Sequence, residues 1–142
     1  SRSIAAIGVA AHECGHAIQH ARHYVPLTVR SAIIPAANIG SSLAWPLVLI
    51  GLIIPRLDFC MTIGILLFSL VVILQLVTLP VEFNASRRAI QIIRDSGYLA
   101  PDELKGAKSV LKAAAMTYVA AMVSVSLQLL RLVILRDSRD DD

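Results

Sequence analysis

Apolar and polar positions are spread very unevenly along this chain. From Phe59 to Pro80 (FCMTIGILLFSLVVILQLVTLP) no charged residue occurs. These 22 residues, at about 1.5 Å each, cover roughly 30 Å, the thickness of a bilayer's hydrocarbon core, which predicts a transmembrane helix. A shorter apolar run over residues 39–55 precedes it, and the polar break Arg56, Leu57, Asp58 separates the two. So short a connection predicts a helical hairpin, with Pro46 bending its first arm. A third run is uncharged from Ala113 to Leu130 and continues past Arg131 through LVIL. Its approach, PDELKGAKSVLK, reads as a helix start, with Pro101 just ahead of Asp102 and Glu103 in the first turn. The chain closes on RDSRDDD, expected to be a solvated tail.

The first twenty-odd residues follow a helical period, with Ile4, Ile7, Ala11 and Ile18 on one apolar face. Their second half is too polar to span lipid, which predicts a buried or membrane-edge helix. No alternating strand pattern appears in the apolar segments. The expected fold is therefore all-α: an integral-membrane helical bundle with a histidine-bearing helix, a transmembrane hairpin and a C-terminal membrane helix.

Composition sharpens this. Hydrophobic residues make up 56% of the 142 and charged ones 16%, against about 25% charged in soluble chains. A soluble domain of this size has too much surface in water to hide so many apolar groups. The expected surroundings are a lipid bilayer, and the length suits a single domain over residues 1–142. The chain begins with serine, so a fragment lacking an N-terminal part is expected. Cys14 and Cys60 read as free thiols. The net charge of +3, without a basic stripe interleaved with aromatics, argues against nucleic acid as a partner. If the hairpin and the third run span, nine of the thirteen basic residues fall on the side of the first helix and the 81–112 segment. Arg56, Arg131, Arg136 and Arg139 fall on the other. By the positive-inside rule the richer side is cytoplasmic.

All four histidines lie in AAHECGHAIQHARHY, residues 10–24. On a helix, His12 and His16 point the same way one turn apart and can take two positions of a tetrahedral zinc. Glu13, beside the first of them, can take a proton from water at the open position. This is the H-E-x-x-H arrangement of zinc metalloproteases. A catalytic zinc needs a third protein ligand. His20 lies on the same face but about 12 Å further along the axis. The metzincin pattern wants glycine at position 19 and histidine at 22, where this chain has Gln19 and Arg22. His20 and His23 are expected at the surface or supporting a ligand. Most other acidic residues fall in the hairpin turn, the tail or exposed stretches. Glu82 is left, right after the longest apolar run. It either pairs with Arg87 or Arg88 or completes the zinc site, and the hairpin's return towards the first helix favours ligation.

The blocks SIAAIGVAAHECGHAIQHA, NIGSSLAWPL, LVTLPVEFNASRRAI and AAAMTYVAA resemble the YugP-like family of putative neutral zinc metallopeptidases of bacterial membranes. The resemblance runs from about residue 3 to 135. That family is in turn similar to the HtpX-like and CAAX prenyl peptidases, in which a glutamate ligand opens an E-x-x-A-D motif. Here the corresponding residues are Glu82, Phe83, Asn84, Ala85 and Ser86, with serine in place of aspartate, a weaker partner for a ligand histidine. The resemblance implies zinc held by His12, His16 and Glu82, with Glu13 as the base. It implies a multi-pass protein of the bacterial cell membrane that cuts a peptide or membrane-protein substrate near the cytoplasmic face. Tyr118, His20 and Arg87 are candidate donors to the oxyanion, although Tyr118 is expected rather to pack between helices with its hydroxyl satisfied. Cys14, at a variable position of the motif, is expected to be inert packing. The competing reading is a catalytically inactive metal-binding membrane scaffold. A structural site has no use for Glu13 and would want four protein ligands. A metal transporter would want ionisable groups in the spans, and residues 59–80 have none.

Overall fold

The computed structural model describes residues 2–140, and among these it contains four α-helices and no strand. They are α1 (Arg2–Ala21), α2 (Val25–Ile53), α3 (Phe59–Ser96) and α4 (Pro101–Asp140), with a 3₁₀ turn at Pro55–Leu57. The expected all-helical class holds. Helices α2, α3 and α4 are each long and apolar enough to cross a membrane. Leu49, Leu66 and Leu127 all stay more than half exposed on them, as side chains facing lipid would.

Three boundaries differ from the sequence expectation. Helix α2 begins at Val25 rather than near residue 39, and keeps Pro35 and Pro46 inside it. Helix α3 runs on through Pro80 and carries Glu82 within the same helix. In a long apolar helix a proline forfeits one backbone bond that the neighbouring turns can absorb, so it does not end the element. The expected tail is also helical, since α4 reaches Asp140.

Local chemistry sets the helix ends. His23 has φ of 54° and occupies the left-handed position just beyond α1. There its N–H donates to the His20 carbonyl (3.2 Å), and that of Tyr24 to the Gln19 carbonyl (2.9 Å), the paired bonds of a Schellman cap. The last histidine is thus a helix stop. Gly97 (φ 69°) follows α3 in the same conformation. At the start of α4 the Glu103 carboxylate accepts the Ala100 N–H at 3.1 Å, half of a capping box.

The chain divides into two compact units. One consists of Arg30–Leu76 with the chain from Ala121. In it α2 and α3 form the expected hairpin, antiparallel and close-packed. A Cβ on Gly51 would stand 2.6 Å from the Met61 nitrogen, and one on Gly64 2.7 Å from the Ala44 oxygen. Ala44, Val48, Met61, Phe68, Val72 and Leu132 make its core. Arg139 lies 3.4 Å from Asp58 in the hairpin turn and also donates to the Gly51 carbonyl.

The other unit takes the chain up to Val29 together with Val77–Ala120. Its core is built from Ala11, Ala89, Ile93, Ala107 and Leu111, with Ile4 and Ile90 packed against them. The buried strip of α1 is Gly8, Ala11, Gly15 and Gln19, turned part-way from the expected face, of which Ala11 is buried and Ile4 packs against the core. Ile7 is 37% exposed. Small residues let the backbones of α1 and α3 touch, and a face with Ile7 in it could not come so near.

Candidate metal centre

Inside the histidine motif α1 comes into backbone contact with α3. A Cβ on Gly15 would overlap the Ala85 carbonyl oxygen and lie 3.0 Å from its carbon. That contact sets the turns that carry His12, His16 and Glu82 side by side. His12 and His16 project from one face of α1, their rings edge-to-face with centroids 4.7 Å apart. Opposite them α3 presents Glu82, 3% exposed.

The three side chains converge. His12 Nε2 lies 2.8 Å from Glu82 Oε2, His16 Nε2 lies 3.3 Å from Oε1, and the two Nε2 atoms are 3.1 Å apart. The expected alternative partners are placed otherwise: Arg88 donates from Nε to Asn84 Oδ1 at 2.7 Å, and Arg87 is exposed. One nitrogen or oxygen from each residue falls within 4.8 Å of the others.

Whether these residues suit a cation can be read from the far side of each imidazole. Gln19 is fully buried, and its Nε2 donates to the Val81 carbonyl (2.8 Å) and to Asn84 Oδ1 (3.1 Å). A carbonyl only accepts, so the amide orientation is settled and Gln19 Oε1 faces His16 Nδ1 at 2.9 Å. His16 Nδ1 therefore carries hydrogen, and in the neutral ring Nε2 keeps its lone pair towards Glu82. His12 Nδ1 is likewise held by Ser86 Oγ at 3.0 Å. Two imidazole nitrogens and a buried carboxylate then face one another. Ligand atoms about 2.0 Å from a tetrahedral ion stand about 3.3 Å apart, close to the separations seen. Imidazole and carboxylate donors fit a divalent ion such as zinc.

Other singled-out residues lie elsewhere. Glu13 is exposed on α1 and outside the convergent group. Cys14 is exposed, as are His20 and His23. Of the three candidate oxyanion donors, Tyr118 lines a cavity with His12, Glu82 and Ser86. Arg87 lines an adjoining hollow instead. Sequence reasoning passed over Gln19 and Asn84. The signal was present in Gln19, a polar residue three positions after His16 and so on the same helix face.

Gln19 should matter to metal affinity, because it fixes the ring of His16. Replacing it with methionine, similar in length but without the acceptor, is expected to lower zinc affinity by about 10–100-fold. Competition with a chromogenic chelator measures this, with circular dichroism confirming that the helices persist. Unchanged affinity in a folded variant would count against the role.

Comparison with known proteins agrees with this chemistry. The family model described as "putative neutral zinc metallopeptidase" matches residues 1–137. A protein of Bacillus subtilis (strain 168) named "putative membrane protease YugP" is 48% identical over 142 residues, which is 99% of this chain and 63% of the relative. The chain thus spans less than two thirds of that protein's length. No solved structure matches it. With the family model covering nearly every residue, the chain belongs to the putative neutral zinc metallopeptidase family.

Proposed function

We propose that the protein is a zinc-dependent membrane endopeptidase of the H-E-x-x-H, gluzincin-like kind, acting near the cytoplasmic face of a bacterial membrane. The observation that carries this is the meeting of His12 and His16 on α1 with the buried Glu82 on α3. His12, His16 and Glu82 would hold the ion, and the backbone contact of Gly15 with Ala85 keeps the two helices at the distance this requires. Zinc, when bound, supplies a Lewis acid that polarises the scissile carbonyl and makes water acidic near neutral pH. Glu13, on the solvent side of the same turn, takes the proton from the attacking water and returns it to the leaving amine. Tyr118, which lines the same cavity as His12, donates to the developing oxyanion. Gln19 and Ser86 hold the two imidazoles in place through their Nδ1 atoms.

A scaffold that merely stored metal would gain nothing from Glu13, and three protein ligands leave a coordination position for chemistry. The deciding measurement is metal content of the purified full-length protein. Wild type should carry about one zinc per chain and Glu82→Ala should lose it, because three ligands become two. Equal zinc in both proteins would remove Glu82 from the site.

The nine-to-four division of basic residues supports a multi-pass arrangement with the 81–112 segment in the cytoplasm. Tyr98, 85% exposed between α3 and α4, offers the test. A Tyr98→Cys substitution in a Cys14→Ser background should resist an impermeant thiol reagent in intact cells and react after lysis. Ready labelling of intact cells would reverse the orientation.

A further inference from the structure

We infer that a groove between α3 and α4, opening from the metal centre, binds a peptide segment in which an apolar residue is followed by acidic ones. This rests on the proteolytic reading above and names the class of substrate for that same site.

Two adjoining hollows carry the argument. The first, of about 110 Å³, touches His12 and Glu82, and its remaining walls are largely apolar, with Val110, Leu111 and Ala114 among them. A hollow that shares its wall with the ligands and offers little polar surface suits an apolar side chain beside the scissile bond. The second, of about 250 Å³, shares Ser86, Leu111 and Ala115 with the first and so adjoins it. Its surface is also mostly apolar: Phe83 and Ile90 line it, together with the side chains of three cations, Arg87 from α3 and Lys108 and Lys112 from α4.

None of these three cations joins a hydrogen bond or ion pair among the described residues. Lys108 and Lys112 stand four residues apart on one helix, a like-charge spacing that is unfavourable when nothing offsets it. A role in membrane topology asks only that cations lie on one side of the bilayer. It does not ask that three of them line one hollow beside the cavity that His12 and Glu82 border. Carboxylates on a bound peptide would supply the missing partners, and the apolar hollow sets where the chain must run to bring them there.

The test uses the full-length, zinc-loaded protein in nanodiscs of neutral lipid, with affinity rather than hydrolysis as the readout. Acetohydroxamate and three hydroxamate-capped peptides are titrated in turn. The peptides carry Leu-Glu-Glu, Leu-Lys-Lys or Gly-Glu-Glu after the chelating group. Relative to acetohydroxamate, Leu-Glu-Glu should bind about 10-fold more tightly than Leu-Lys-Lys, as expected for several exposed ion pairs. It should exceed Gly-Glu-Glu by at least about 10-fold through burial of the leucine. The double variant Lys108→Glu, Lys112→Glu should reverse the preference between the acidic and basic peptides. Equal affinities, with acetohydroxamate still bound, overturn the groove assignment and leave the metal reading standing. Failure of acetohydroxamate to bind overturns both. Loss of the acidic preference when phosphatidylglycerol is added to the nanodiscs assigns the cations to lipid and also overturns the proposal.

Discussion

Replacing Glu13 by glutamine should leave zinc bound while lowering peptide hydrolysis by more than about 10²-fold, the usual loss when a general base is removed. Glutamine keeps the size and shape of the side chain and removes only its ability to accept a proton. Glu13 is exposed and stands apart from the convergent group, so the change does not disturb His12, His16 or Glu82. His16→Ala should behave differently. It removes an atom 3.3 Å from Glu82 Oε1 and 3.1 Å from His12 Nε2, and tight metal binding should go together with activity. The pair of variants separates proton transfer from metal holding, using zinc content and cleavage of a membrane-protein substrate as the two readouts. If Glu13→Gln cleaves as fast as wild type, another group is the base. If wild type binds zinc and cleaves nothing as a full-length protein, the scaffold reading replaces the enzyme.

The second large effect is expected at a residue with no side chain. Gly15→Ala adds one methyl group inside the H-E-x-x-H motif, at a position open to variation in the motif itself. Here that methyl would overlap the Ala85 carbonyl, with the Ala85 Cα 3.1 Å away. A flexible side-chain tip could swing aside, but these are backbone atoms of a continuous helix. Overpacking of a tight contact costs roughly 1–3 kcal/mol, and the relief available is to move α1 away from α3. Both histidines move with α1, so zinc affinity and thermal stability should fall together. Cys14→Ala, one position earlier on the exposed side, serves as the matched control. A Gly15→Ala protein with wild-type melting and wild-type zinc affinity would show that the close approach is not needed.

Much of this was legible in the sequence, for reasons of range. His12 and His16 are one turn apart, so helical periodicity alone puts them on one face. The hairpin could be read from the uncharged run over residues 59–80 and the polar break before it. The return of Glu82 to His12 and His16 followed from that topology, although it lies 70 residues from His12. What escaped was whatever depended on the register between α1 and α3. Gln19 finds Val81 and Asn84 only when the helices are aligned to within one turn, and no local pattern encodes that alignment. The same limit explains Ile7: periodicity marked an apolar stripe but could not tell that α3 prefers the smaller residues beside it. Pro80 closed the predicted apolar run because soluble helices stop at proline, whereas α3 continues through it, as α2 does through Pro35 and Pro46. His23 looked like one more member of a histidine cluster, and its backbone angle gives it a different job.

The cap at His23 has a mechanical consequence for the centre. The chain turns from α1 into α2 through three residues, too few to provide slack. Tyr24, within that link, has the Arg88 guanidinium over its ring at 5.9 Å. Further back, the Gln19 amide fastens α1 to the Val81 carbonyl, and Gly15 seats against Ala85. These three attachments follow one another along the helix and all lead to α3. Together they resemble a kinematic mount, in which a few well-placed contacts oppose rigid-body movement. A helix held this way resists sliding along its axis and rolling about it, and the two imidazoles it carries are positioned from the α3 backbone.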